Sequence, residues 1–228
     1  MKSIKNSMKR DQVLLISSSL QLALFALLVW WAKKHPQPPK EILITRLLQR
    51  RQTSSKRRMV QVFSTATGSA IMLNICVVPV AIVLWRVKFR LEAIMTVITL
   101  WTNALVRTGI KRLVNRPRPK PLLMRVKRQS KGKSFPSGHV ASSLDFWGWL
   151  FALALFRKDM NQPWRRVLLS IPLLLIVLVG PSRIYLGDHW ATDVVGGYLL
   201  GGGWLGFSLR LYLQLREQGV LATIINAA

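Results

Sequence analysis

Residues 12–32 read QVLLISSSLQLALFALLVWWA, 21 positions without a charged side chain. At ~1.5 Å of rise per residue, a helix of this length crosses the ~30 Å hydrocarbon core of a bilayer. Lys2, Lys5, Lys9 and Arg10 precede it, as in a secretory signal, but the run is too long and lacks a small-residue cleavage pattern. It reads as an uncleaved membrane helix. Further apolar runs follow. Met59–Trp85 is 27 residues without a charge, and Leu91–Ile110 carries Glu92 and Arg107 near its ends. Val140–Phe156 contains one carboxylate, Asp145; Val167–Ser182 contains Pro172, expected to kink it; Val194–Leu209 is rich in glycine. The pattern predicts an all-α, polytopic membrane bundle of six transmembrane helices, one integral-membrane domain over residues 1–228.

The charge lies between these runs. Against 8 acidic residues the chain carries 34 Lys and Arg, a net charge of +26. That balance alone suggests a nucleic-acid binder. Nine Trp, long uncharged runs and a mean hydropathy of +0.28 argue against one, and exclude a disordered basic tail. Nine of the cations fall in residues 33–58 and ten in residues 111–133. An even helix count puts both segments on one face of the membrane, where anionic lipid attracts them. The first holds Ile42–Gln49, a short amphipathic stretch suited to the interface. A lone cysteine, Cys76, excludes an intrachain disulfide framework.

Few residues remain for chemistry. His139 follows Phe135-Pro136-Ser137-Gly138 at the head of an apolar run, with Ser137 a candidate N-cap. Backbone N–H groups at such a helix start face an anion. His189 lies four residues before Asp193, a spacing that shares one face if both are helical. A carboxylate bonded to one ring nitrogen fixes the tautomer and leaves the other nitrogen as acceptor or nucleophile. Ionisable groups at the ends of membrane runs are costly, which favours a functional role. The third element is Lys111-Arg112-Leu113-Val114-Asn115-Arg116-Pro117-Arg118-Pro119. Arg118, held between prolines on extended backbone, presents a planar fork suited to phosphate.

Taken together, Lys111 with Arg118-Pro119, then Pro136-Ser137-Gly138-His139, then Ser182-Arg183 with His189 and Asp193 resemble a known three-part signature. It is that of the type 2 phosphatidic acid phosphatase superfamily, which includes the vanadium haloperoxidases. Every fixed position of the pattern is matched between Lys111 and Asp193. The resemblance implies that His189 attacks phosphorus and forms a phosphohistidine, and that Asp193 orients it. His139 would protonate the leaving oxygen and then activate water. Lys111, Arg118, Arg183, Ser137 and Gly138 would bind the phosphate. No metal or other cofactor is needed, and the eight scattered carboxylates suggest no two-metal cage. The implied substrate is a lipid phosphate or polyprenyl diphosphate, met in a membrane with anionic lipid and without nucleic acid. The soluble haloperoxidase branch is disfavoured by the apolar runs.

Two alternatives share these residues or dispense with them: a lipid phosphotransferase using the same phosphohistidine, and a nonenzymatic basic lipid-binding membrane protein. The resemblance implies a bacterial cell membrane with the site on the outer face. The positive-inside rule points the other way, with 19 cations on the motif-bearing face against 13 on the other. Asp145, six residues past His139, falls on another helical face and is expected to meet a neighbouring helix. Gly197-x-x-x-Gly201 and Gly202-x-x-x-Gly206 are expected to pack helices within the bundle. Trp30, Trp31, Trp147, Trp149, Trp164 and Trp204 are expected to form an interfacial belt.

Overall fold

The computed structural model describes residues 2–126 and 132–219; Lys127, Arg128 and Lys131 of the second basic segment lie outside them. The described residues form α1 (Lys2–Lys34), α2 (Pro39–Gln49), α3 (Ser54–Gly68), α4 (Ala70–Arg86) and α5 (Arg90–Val114). After an extended connection come α6 (Gly138–Ser143), a π-helical turn (Leu144–Gly148), α7 (Trp149–Phe156), α8 (Gln162–Tyr185) and α9 (Ala191–Glu217). Four helices are long and apolar enough to cross a membrane: Met8–Lys34, Arg90–Val114, Gly138–Phe156 and Gln162–Tyr185. A fifth span results if α3 and α4, bent by 46°, count as one. The expected count of six is therefore not met on composition. α9 has the length, 27 residues, but its glycines dilute its hydropathy.

The 27-residue run at Met59–Trp85 is not one straight helix. Gly68 ends α3, and Ser69 caps α4, accepting from the Met72 N–H at 3.2 Å. The break leaves the Thr67 carbonyl free of the helix ladder. Ser143 and Trp147 donate to it at 2.7 and 2.8 Å, which fastens the helix carrying His139. Gly68 itself faces His139, whose carbonyl oxygen is 2.9 Å from where a Cβ would stand. Pro172 and Pro181 lie inside α8, which continues through both.

α9 packs along α1 on one side and α6 on the other, and its glycines make both approaches possible. A Cβ on Gly203 would meet Leu22 at 2.8 Å, and one on Gly201 would meet Leu144 at 3.0 Å. The small residues pack within the chain, as anticipated. At Gly197 a Cβ would stand 2.9 Å from both the Ser137 carbonyl and Val140 Cβ. Backbone cannot yield as a flexible side chain does. Gly197→Ala is therefore expected to push α6 off α9 and to lower stability by ~1–3 kcal/mol, read by thermal melting.

Of the six tryptophans assigned to a belt, Trp30 and Trp164 are exposed, whereas Trp149 is fully buried. Trp149 packs edge-on against Tyr212 in a core with Leu73, Val77, Met95, Phe146 and Leu153. Trp147 and Trp204 turn their N–H groups inward, the latter onto Thr102 at 3.0 Å. Trp149 fills the bundle because α7, which it opens, is apolar all round.

Candidate active site

α5 ends where Asn115 adopts a left-handed conformation (φ 53°), which asparagine tolerates better than most residues. Pro117 prevents the helix from resuming, so Arg116 and Arg118 leave on extended backbone. Lys111, on the last turn, donates to the carbonyls of Pro136 (2.8 Å) and Lys133 (3.0 Å), drawing the Pro136–His139 turn against α5. Ser134 N donates to Arg116 O, Ser137 N to Asp193 O, and Trp190 Nε1 to Pro117 O, each at 2.9 Å. The three motif segments are thus tied to one another at one end of the bundle. They bring Lys111, Arg118, Ser137, Gly138, His139, Arg183, His189 and Asp193 together.

His189 sits in the turn between α8 and α9, not on a helix. The pairing with Asp193 that a helix would give is replaced by a capping arrangement. Trp190 is the N-cap of α9, and Asp193, at its third position, accepts from the Trp190 N–H at 2.9 Å. The turn lets the His189 ring fold back, with Nδ1 3.4 Å from Asp193 Oδ2. That is an ion-pair separation without hydrogen-bond alignment. Arg118 Nη1 lies 3.2 Å from His189 Nε2. A guanidinium can only donate, so Nε2 carries the lone pair and the proton sits on Nδ1, towards Asp193. Burial, then the charges of Arg118, Arg183 and Lys111, hold the His189 pKa well below the ordinary histidine value. Its ring is neutral, with the lone pair aimed at cations.

Those cations are preset by the protein. Arg118 also donates to the Asp188 carbonyl at 2.7 Å and the Gly132 carbonyl at 3.2 Å. Arg183 bonds Ser64 Oγ at 2.8 Å and Asp188 Oδ2 at 2.6 Å. His139 is close enough to Arg183 and Arg118 to feel their charges, with the His189 ring nearby. Ser137 occupies the N-cap position of α6, but its hydroxyl makes no capping bond; Ser137 Oγ is buried and without a partner among the described residues. The Arg183 Nε is likewise buried and unsatisfied. Unsatisfied donors beside a neutral histidine suit a phosphoryl group, whose oxygens accept from all of them. Among the described residues, no three His, Cys, Asp or Glu side chains come together as a metal site.

The sequence profile of the PAP2 superfamily matches residues 91–217. The chain belongs to the PAP2 superfamily. Phosphatidylglycerophosphatase B of Bacillus subtilis is 29% identical over 112 residues, which is 48% of this PAP2 chain and 53% of that protein. Lipid A 4'-phosphatase of Bacteroides thetaiotaomicron is 36% identical over 94 residues, 40% of this chain and 37% of that one. Undecaprenyl-diphosphatase of Sulfolobus acidocaldarius is 32% identical over 93 residues, again 40% and 37%. The chain thus spans about half or less of the length of these curated relatives. In fold it resembles the transmembrane PAP2-type phosphatidylglycerolphosphate phosphatase of Bacillus subtilis, with a TM-score of 0.75 at 18% identity over 87% of this chain and 97% of that one. Aquifex aeolicus LpxE matches at a TM-score of 0.55 and 22% identity, over 73% and 93%.

Three residues of this PAP2 site were not singled out from sequence. Arg116, 1% exposed, donates to Asp193 Oδ1 at 2.7 Å and Thr192 Oγ1 at 2.6 Å. Glu41, on α2, lies 3.3 Å from Arg116 Nη2 and accepts from Thr192 N at 3.0 Å and Thr192 Oγ1 at 2.8 Å. Asp188 holds Arg183. Asp145 behaves as expected and meets a neighbouring helix, accepting from Asn103 on α5 at 3.0 Å.

α2 extends the anticipated interfacial stretch. Glu41, Thr45 and Gln49 are buried, whereas Leu43, Ile44, Leu47 and Leu48 are exposed. Gln49 donates to Arg125 O and Tyr185 O, and Arg57 also reaches Arg125 O. The two basic segments therefore pack on each other beside the site.

Proposed function

We propose that this protein is a metal-independent membrane phosphatase, one domain over the whole chain, that hydrolyses a lipid phosphate or polyprenyl diphosphate. His189 attacks phosphorus through Nε2 and becomes a phosphohistidine. Asp193 keeps the proton on Nδ1 and balances the charge that forms. Apo sites hold such bonds long, and the 3.4 Å contact is expected to shorten once substrate is bound. Lys111, Arg118 and Arg183, with Ser137 Oγ and the Gly138 N–H, neutralise the equatorial oxygens. His139 protonates the leaving oxygen, then deprotonates the water that releases phosphate. The observation that carries this is the neutral, buried His189 with its lone pair directed at Arg118.

α9 acts as the sixth span, its glycines compensated by packing against α1 and α6. The site opens on the outer face of a bacterial cell membrane. There α2 rests its leucines at the lipid interface, and the surrounding cations draw in anionic headgroups.

Purified protein in EDTA is expected to release inorganic phosphate from a panel of phosphatidate, phosphatidylglycerol phosphate and undecaprenyl diphosphate, and to be inhibited by vanadate. A strict requirement for magnesium would overturn the mechanism. Transfer of the phosphoryl group to a second lipid instead of water would replace the phosphatase assignment by a phosphotransferase.

A further inference from the structure

Among the described residues, one cation of this cluster has no hydrogen-bond or ion-pair partner. Arg107 lies on α5, one turn before Lys111, and is 7% exposed. Its Nη1 is buried without a hydrogen bond. Lys111, Arg118 and Arg183 each hold protein acceptors. Among the described residues, Arg107 makes neither a hydrogen bond nor an ion pair. Asp145 is the one carboxylate whose charge reaches it, yet no ion pair forms between them. Asp145 gives Oδ1 to Asn103 and leaves Oδ2 unsatisfied. A buried guanidinium within a membrane bundle is costly unless an anion meets it.

The placement says which anion. Arg107 Nε would lie 3.6 Å from a Cβ on Gly138, so the guanidinium passes directly beneath the turn that carries His139. Its charge reaches both His139 and Lys111. In the mechanism above, on which this inference rests, His139 serves the leaving oxygen. Arg107 stands beside the turn carrying His139, and its charge, unlike those of Lys111, Arg118 and Arg183, is not among those that act on His189, which sets it towards the leaving-group side of the scissile bond.

We propose that Arg107 binds a second phosphoryl group, the inner one of a diphosphate ester, and that the site prefers lipid diphosphates to lipid monophosphates. His189 Nε2 bonds to the terminal phosphorus as the bond to the bridging oxygen breaks. The electron pair stays on that oxygen, which takes the proton from His139 and departs as the lipid monophosphate. Water then cleaves the phosphorus–nitrogen bond, giving inorganic phosphate and regenerating His189. Charge builds on the inner phosphoryl group during the first step, and the Arg107 fork is placed to meet it. A monophosphate leaves as an alcohol and gains nothing there.

Farnesyl diphosphate and farnesyl monophosphate share one tail, and phosphate release from each reads kcat/KM. Wild type is expected to favour the diphosphate at least ~10-fold, a ratio that Arg107→Gln erases and Arg107→Lys keeps in part. Competition supplies a readout on wild-type protein alone: inorganic pyrophosphate should inhibit at least ~10-fold more tightly than inorganic phosphate. A wild-type preference for the monophosphate, an unaltered ratio in Arg107→Gln, or equal inhibition by the two anions would overturn the proposal. Turnover of the monophosphate alone would sink this inference and leave the phosphatase standing. Release of phosphate from neither ester, nor from any lipid of the panel, would sink both.

Discussion

His189→Ala is expected to lower kcat by at least ~10⁴-fold while the protein still folds. No other lone pair near His189 is free for the attack, since His139 serves the leaving oxygen in the proposed mechanism. Lys111, Arg118 and Arg183 are cationic donors, and Asp193 is turned away, with Arg116, Trp190 N–H and Ser134 on its two oxygens. Those same bonds explain why the variant folds. Asp193 keeps its counterion and its hydrogen bonds without His189, so the substitution leaves a cavity but no orphan charge. The stability loss is then of the ordinary size for a buried truncation, ~1–3 kcal/mol. Brief incubation with a ³²P-labelled lipid phosphate should trap an acid-labile, base-stable phosphoprotein in wild type and none in His189→Ala. Undiminished turnover by His189→Ala would overturn the mechanism. Melting curves should separate that result from simple unfolding.

Much of this site could be read from the chain because its chemistry is local in sequence. Lys111 to Pro119, Pro136 to His139 and Ser182 to Asp193 are each short segments in which turns and helix ends hold the candidate side chains. The spans were legible for a related reason, since charge is costly in lipid and its absence over 21 residues is a strong signal. Contacts between distant segments were not. Arg116 is one cation among ten in its segment, and only packing separates it from Arg112 or Lys120. Glu41 did carry a signal: it is the only carboxylate among nine cations in residues 33–58. The break at Gly68 hid within an uncharged run because hydropathy does not register a bend. The π-helical turn at Leu144–Gly148 has no local marker, yet it sets the face on which Asp145 meets Asn103. The four-residue spacing of His189 and Asp193 would share a face on a helix; the carboxylate at the third position of α9 caps that helix instead and leaves His189 in the turn before it.

Arg116→Met is expected to damage both stability and turnover, and the two effects have separable causes. The guanidinium lies between Asp193 and Glu41, donates to the carbonyls of His35 and Pro36, and is flanked by the rings of Trp31 and Trp190 at 5.8 and 5.7 Å. Methionine matches much of its length but carries no charge. Two buried carboxylates then lose their shared counterion, at a cost of ~3–5 kcal/mol by melting. Protonation relieves that cost, and a protonated or displaced Asp193 no longer fixes the Nδ1 proton of His189. A fall in kcat of ~10²–10⁴-fold follows. Arg116→Lys should rescue little, because one ammonium cannot span Asp193, Thr192 and Glu41 as a planar fork does. The double variant Glu41→Gln/Arg116→Met distinguishes the causes. Removing the second carboxylate should return part of the lost melting temperature, whereas kcat should stay low, since Asp193 still lacks its anchor. If Arg116→Met melts within ~1 kcal/mol of wild type and keeps its turnover, then Asp193 is held by Ser134 and the Trp190 N–H alone, and the link from α2 to the nucleophile does not exist.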